Sequence, residues 1–179
     1  MDCTGSDVPV NHNTVDGTGS PVNIAANGIE IADGAVGEVD HNVVSGNECL
    51  SNTSCGPNLD AQYQASGIAL IGSNVEVDHN DVSGNDMGIA LSPANGAHVD
   101  HNQLTNNRYG AIVLFYSSSN TIDHNQIKGD NQIAPYTAGI DILVSSNNNN
   151  VNHNQVQVTS VPSIYVDGTS TGNVLSNNS

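Results

Sequence analysis

Apolar residues along this chain recur at every second position in short runs, and two kinds of run alternate. The first kind is Val-x-His-Asn-x-Val. It is read at Val10-Asn11-His12-Asn13, Val39-Asp40-His41-Asn42, Val77-Asp78-His79-Asn80, Val99-Asp100-His101-Asn102, Ile122-Asp123-His124-Asn125 and Val151-Asn152-His153-Asn154, and in weakened form at Val174-Leu175-Ser176-Asn177. The second kind is Gly-Ile-x-Leu. It is read at Gly28-Ile29-Glu30-Ile31, Gly67-Ile68-Ala69-Leu70, Gly88-Ile89-Ala90-Leu91, Ala111-Ile112-Val113-Leu114, Gly139-Ile140-Asp141-Ile142 and Ser163-Ile164-Tyr165-Val166. A period of two is the strand signature. The tightest repeats, 22 and 23 residues long, are too short for two helices, and Gly, Asn and Ser between the runs favour turns. The pattern predicts a coil of three short strands and three turns, each strand pairing in parallel with its copy one coil away at about 4.8 Å.

Over nearly the whole chain this alternation resembles the right-handed parallel β-helix of the pectate-lyase-like superfamily. The resemblance implies an all-β fold, a right-handed single-stranded parallel β-helix (a solenoid) of about six coils, with residues 1–179 as a single domain. Six coils make a rod about 29 Å long. Neither end carries an amphipathic capping helix, which predicts a fragment of a longer β-helix, or ends covered by a partner or by swapped strands. The superfamily includes polysaccharide lyases, glycoside hydrolases, epimerases, phage tailspikes and adhesins, so fold alone assigns no activity.

The repeated Asn (Asn13, Asn42, Asn80, Asn102, Asn125, Asn154 and Asn177) reads as a ladder inside a corner. An amide can donate and accept between coils, and Asn tolerates the left-handed backbone a sharp corner needs. The His beside it (His12, His41, His79, His101, His124 and His153) reads as a second structural column, with metal binding the minority reading. The Asp row points outward next to it. Like charges one strand apart repel, so Asp78, Asp100 and Asp123 are weak candidates for a metal, with Ca²⁺ as the cofactor to consider.

The formal net charge is −16, with Arg108 and Lys128 as the only fixed cations. That excludes nucleic-acid binding, which rests on Lys and Arg, and it disfavours anionic membranes. No apolar run is long enough to span a bilayer. Cys49 and Cys55 lie in the longest insertion, 48–64, where a bridged loop and two free thiols fit the sequence equally. Further insertions at 18–28 and 129–137 fall on the same leg of the coil, ahead of Gly-Ile-x-Leu, so they emerge on one side of the rod, where solenoids commonly bind.

On that strand the x residues face away from the coil interior. Five of the six aromatic residues lie between positions 109 and 165. Tyr109, Phe115, Tyr116, Tyr136 and Tyr165 are the candidate substrate-binding residues, since sugars stack on flat apolar rings. Asp141, Asp167, Lys128 and Arg108 are the candidate catalytic residues. The two carboxylates on neighbouring coils would suit hydrolysis, and the two cations would suit a lyase-type proton abstraction. No complete catalytic motif accompanies them. The sequence therefore favours a non-catalytic secreted or cell-envelope module that engages polysaccharide. A carbohydrate-active enzyme (lyase, epimerase or hydrolase) working on the 108–167 face is the alternative.

Overall fold

The computed structural model describes residues 7–17, 26–49, 64–72, 74–129, 138–159 and 161–179. These form nineteen strands in three parallel sheets. Sheet A has seven strands: Asp7–Asn11, Val36–Asp40, Val75–Asp78, His98–Asp100, Thr121–Asp123, Asn150–Asn152 and Val174–Ser176. Sheet B holds the six short strands that follow the His-Asn corner, from Thr14–Asp16 to Gln155–Gln157. Sheet C holds the six strands of the Gly-Ile-x-Leu runs, from Ile29–Ile31 through Ser66–Leu70, Met87–Leu91, Gly110–Phe115 and Ile140–Leu143 to Ile164–Val166. Every pairing is parallel and joins like to like: Val39 with Val77, Leu104 with Ile127, Ile68 with Ile89. Among the described residues no helix is long and apolar enough to cross a membrane.

The alternating apolar residues point inward and stack into one continuous column, Val39, Val77, Val99 and Ile122 on sheet A facing Ile68, Ile89, Ile112 and Ile140 on sheet C, all fully buried. Each coil closes its core only against its neighbours, which is why a repeat of this kind is stable as a stack. The expected Asn ladder is present from Asn13 to Asn154, but its last rung is Asn178, which accepts from Asn154, while Asn177 takes the left-handed position of the histidines. Asn102 donates from Nδ2 to Asn125 Oδ1 (3.0 Å) and accepts at Oδ1 from the backbone N–H (2.9 Å) and Nδ2 (3.0 Å) of Asn80.

The corner itself differs from expectation. Its left-handed residue is the histidine: φ lies between +51° and +54° at His12, His41, His79, His101, His124 and His153, while the Asn turns its amide inward. The imidazoles stack outside the corner with centroids 5.1 Å apart and planes within 4° of parallel. In four coils Nδ1 lies 2.6–2.9 Å from the carboxylate of the preceding Asp; His12 and His153, which follow Asn, take the same left-handed conformation, one His tolerates better than most residues with a side chain.

Two more Asn ladders line the other corners, Asn47–Asn85–Asn107 and Asn120–Asn149–Asn173. The first explains the Gly that opens sheet C strands. A Cβ on Gly67 would come within 2.8 Å of Asn85 Nδ2 and 2.6 Å of Val82 Cγ1.

Candidate functional site

Register gathers the x residues of sheet C into the row Glu30, Ala69, Ala90, Val113, Asp141, Tyr165. Alternation places them outside the coil as expected, yet Ala69, Ala90, Val113 and Asp141 are buried. Met87, Ala90, Tyr109, Val113, Phe115 and Leu143 form a second apolar cluster on this outer face. Solvent enters through a groove of about 400 Å³ that crosses the strands from Asn27, Gln64 and Ser66, over Ala69, Met87 and Ala90, to Ser92, Phe115 and Tyr116. Tyr116 stands 62 % exposed at the end of Gly110–Phe115. None of the described lining residues carries a carboxylate, imidazole, amine or guanidinium.

The acidic and basic candidates sit elsewhere, and most are already engaged. Arg108 Nη1 lies 3.1 Å from Asp86 Oδ1 and 3.4 Å from Glu48 Oε2, with its guanidinium 5.4 Å above the Tyr109 ring. Asp86 is fully buried, and its other oxygen accepts from the backbone N–H of Cys49 (2.7 Å) and of Ala65 (3.3 Å). Those two residues flank the long insertion, so one carboxylate pins both of its ends. Burial pushes the Asp86 carboxyl up to about 6, against the opposing pull of the Cys49 N–H and the Arg108 charge. Replacing Asp86 by Ala leaves Arg108 and two backbone donors unmatched. A loss of about 3 kcal/mol is expected in thermal denaturation, against a loss within about 0.5 kcal/mol for Glu48→Ala.

Asp141 is fully buried. Its Oδ2 accepts from the Ala138 N–H at 3.3 Å, and its Oδ1 is without a hydrogen-bond partner among the described residues. Burial raises this carboxyl to about 7, and the single Ala138 hydrogen bond offsets little of that. Asp167 is the opposite case. Its carboxylate accepts from the N–H groups of Val144, Thr169 and Ser170 and from the Thr169 hydroxyl. These bonds hold it below the usual carboxylate range despite the upward push of burial. Asp167 thus ties its turn to the neighbouring coil. Lys128 lies exposed at the end of Gln126–Lys128 on sheet B, away from the groove. Tyr109 is buried, and burial raises its phenol, so it serves as packing. Phe115 and Tyr116 remain on the groove, Tyr165 is half exposed further along the row, and Tyr136 lies outside the described residues.

The Asp candidates for metal lie on the outer face of sheet A. Asp78, Asp100 and Asp123 are each largely buried beneath the His column and give one oxygen to it. Register sets Glu76 beside His98 and Asp78 beside Asp100. His98 carries its proton more readily than free imidazole: burial lowers its pKa, but the hydrogen bond to Asp123 and the charges of Asp100, Asp123 and Glu76 outweigh it. Cys49 is disulfide-bonded; Cys55, the expected partner, lies outside the described residues.

The family model described as the right handed beta helix region matches residues 58–179. The chain belongs to the right-handed β-helix family. A solved alginate lyase from Paenibacillus sp. strain FPU-7 has the same fold, with a TM-score of 0.55 at 13 % identity. The superposition takes in 93 % of this chain and 65 % of that one. No curated protein matches the sequence.

Within this β-helix, sequence reasoning missed Asp86, His98, Glu76 and the two further Asn ladders. The ladders had a signal, in Val44-Ser45-Gly46-Asn47 and Val82-Ser83-Gly84-Asn85, a repeat within the repeat. Asp86 had none, because its partners at Cys49 and Ala65 are brought to it only by the coil geometry.

Proposed function

We propose that this β-helix is a carbohydrate-binding module in which a polysaccharide strand lies in the groove on the outer face of sheet C. The supporting observation is the composition of that groove. It has a floor of small and apolar residues, amides and hydroxyls at Asn27, Gln64, Ser66 and Ser92, and a ring platform at Phe115 and Tyr116. Flat rings beside hydroxyl and amide groups suit sugar faces and their hydroxyls. That none of the described lining residues is an acid or base favours binding over turnover. The alginate lyase likeness makes a uronate polymer one natural ligand to try. A net charge of −16 opposes it unless Ca²⁺ bridges the two, so a neutral chain is the preferred ligand. The disulfide at Cys49 accords with a secreted or cell-envelope setting.

One observation favours catalysis as a second reading. The Asp141 carboxyl is raised to about 7, where a general acid or base works near neutrality.

Affinity electrophoresis through neutral polysaccharides, and through alginate with and without Ca²⁺, tests the proposal, with reducing ends and near-ultraviolet absorbance followed in parallel. Retardation without products is expected. Tyr116→Ala, at an exposed position, is expected to weaken retention about tenfold without changing the melting temperature. Unchanged retention in that variant sinks the groove assignment. Products abolished by Asp141→Asn would make the protein an enzyme.

A further inference from the structure

The outer face of sheet A is a carboxylate surface that departs from its repeat at one place. One row runs Glu38, Glu76, His98, Thr121 and the next runs Asp40, Asp78, Asp100, Asp123. His98 is the imidazole that enters these rows. The column histidines clamp Oδ2 of each Asp, at 2.6 Å for His79 and His101 and 2.9 Å for His124. That leaves the Oδ1 atoms, held in place, on the His98 side. Asp123 Oδ1 is 2.7 Å from His98 Nε2 and Asp100 Oδ1 is 3.9 Å from the same nitrogen, while Glu76 Oε1 is 3.9 Å from Nδ1. A ring nitrogen of His98 and one oxygen each of Glu76 and Asp100 lie within 4.8 Å of one another.

The second observation is independent of that grouping. Asp100 is only 9 % exposed, and its Oδ1, like those of Asp40 and Asp78 in the same row, is buried without a hydrogen-bond partner among the described residues. An ionised oxygen shut away from water with no donor is costly, and a cation supplies what the protein withholds.

We propose that Glu76, His98 and Asp100 bind a single first-row divalent ion of the zinc class on the outer face of sheet A. The ligand chemistry selects the ion. Imidazole nitrogen with carboxylate oxygen suits zinc, cobalt or manganese, whereas Ca²⁺ takes oxygen alone. Bonds to zinc of about 2.0–2.2 Å require the three ligand atoms to draw together. Glu76, whose side chain is 55 % exposed, is free to swing in, while Asp100 is already fixed by His101. Asp123 orients the ring, as a carboxylate behind a metal-bound imidazole does. The site lies on a different sheet from the groove, so neither proposal depends on the other.

The test is calorimetric titration of the whole chain with Zn²⁺ near neutral pH, with Co²⁺ as a visible-absorption probe. The solvent-facing imidazoles of the column provide the background to be separated. One equivalent is expected to bind well below about 1 mM, to raise the melting temperature, and to be weakened about tenfold or more by H98Q and by E76Q. H41Q, in the column two coils away and bonded to Asp40, is expected to retain a distinct high-affinity equivalent. E76Q changes an exposed side chain and H98Q a half-buried one, and circular dichroism verifies their fold. The proposal is overturned if H98Q and E76Q titrate as the parent does, or if no equivalent binds below that concentration. It is equally overturned if the tight equivalent disappears in H41Q but not in H98Q, which would place the ion on the column. Ca²⁺ binding as tightly as Zn²⁺ would overturn the assigned class.

Discussion

Replacing Asn102 by Ala is expected to lower stability by about 4 kcal/mol, at about 1 kcal/mol for each of its two donated protons and each of the two donors its oxygen receives. The Asn102 amide donates to Val77 O (2.8 Å), Asp100 O (2.9 Å) and Asn125 Oδ1 (3.0 Å), and its Oδ1 receives the two donors of Asn80. It is fully buried, so no water replaces what Ala removes. The rung lies mid-stack, and its loss uncouples the coil of Asn80 from that of Asn125. A fall in melting temperature of about 15 °C is expected by calorimetry. Gln103→Ala, at the exposed neighbour, is expected to stay within about 0.5 kcal/mol of the parent. A small loss at Asn102 would mean that the apolar column alone holds the coils in register.

Asp141→Asn is expected to stabilise the protein, and to do so only above mild acidity. The Asp141 carboxyl titrates at about 7 in the fold against an ordinary 3.8, because burial disfavours its charge. Between those values the native chain holds a proton that the unfolded chain has released. Stability therefore falls as pH rises from about 4 to about 7, then levels off. Below the ordinary carboxylate value the two states are protonated alike and the group contributes nothing. At 1.36 kcal/mol per pKa unit the full cost above neutrality is on the order of 4 kcal/mol. Asn keeps an oxygen for the Ala138 N–H and carries no charge. The variant is expected to melt above the parent at pH 8 and with it at pH 4. Equal melting at both values would show that Asp141 is solvated.

The fold was legible because its signal is redundant. Each of Ile68, Ile89, Ile112 and Ile140 repeats the same inward position, so one ambiguous run is corrected by the others. The outer face was legible only in direction. Alternation says that Ala90, Val113 and Asp141 point away from the coil, and they do, but it does not say whether water waits there. The cluster of Met87, Tyr109 and Phe115 shuts it away from Val113, while the groove beside that cluster admits it. Site chemistry was the least legible part. Arg108 and Asp167 drew notice as charged residues in a chain with few cations and a sparse aromatic face, whereas their roles are set by backbone N–H groups and carboxylates far away in sequence. The left-handed corner misled for a related reason. Asn is the commoner residue there, and nothing local reveals that the His takes the left-handed place while the Asn turns inward.

The ladders have translational symmetry along the rod. Asn80, Asn102 and Asn125 make the same bonds across steps of 22 and 23 residues, so a rung does not distinguish its neighbours from any other pair. A coil is therefore a unit of length rather than a unique part. In-frame duplication of such a segment in the gene would extend the filament by one rise of about 4.8 Å with every corner already matched, leaving the insertions on the third leg free to diversify.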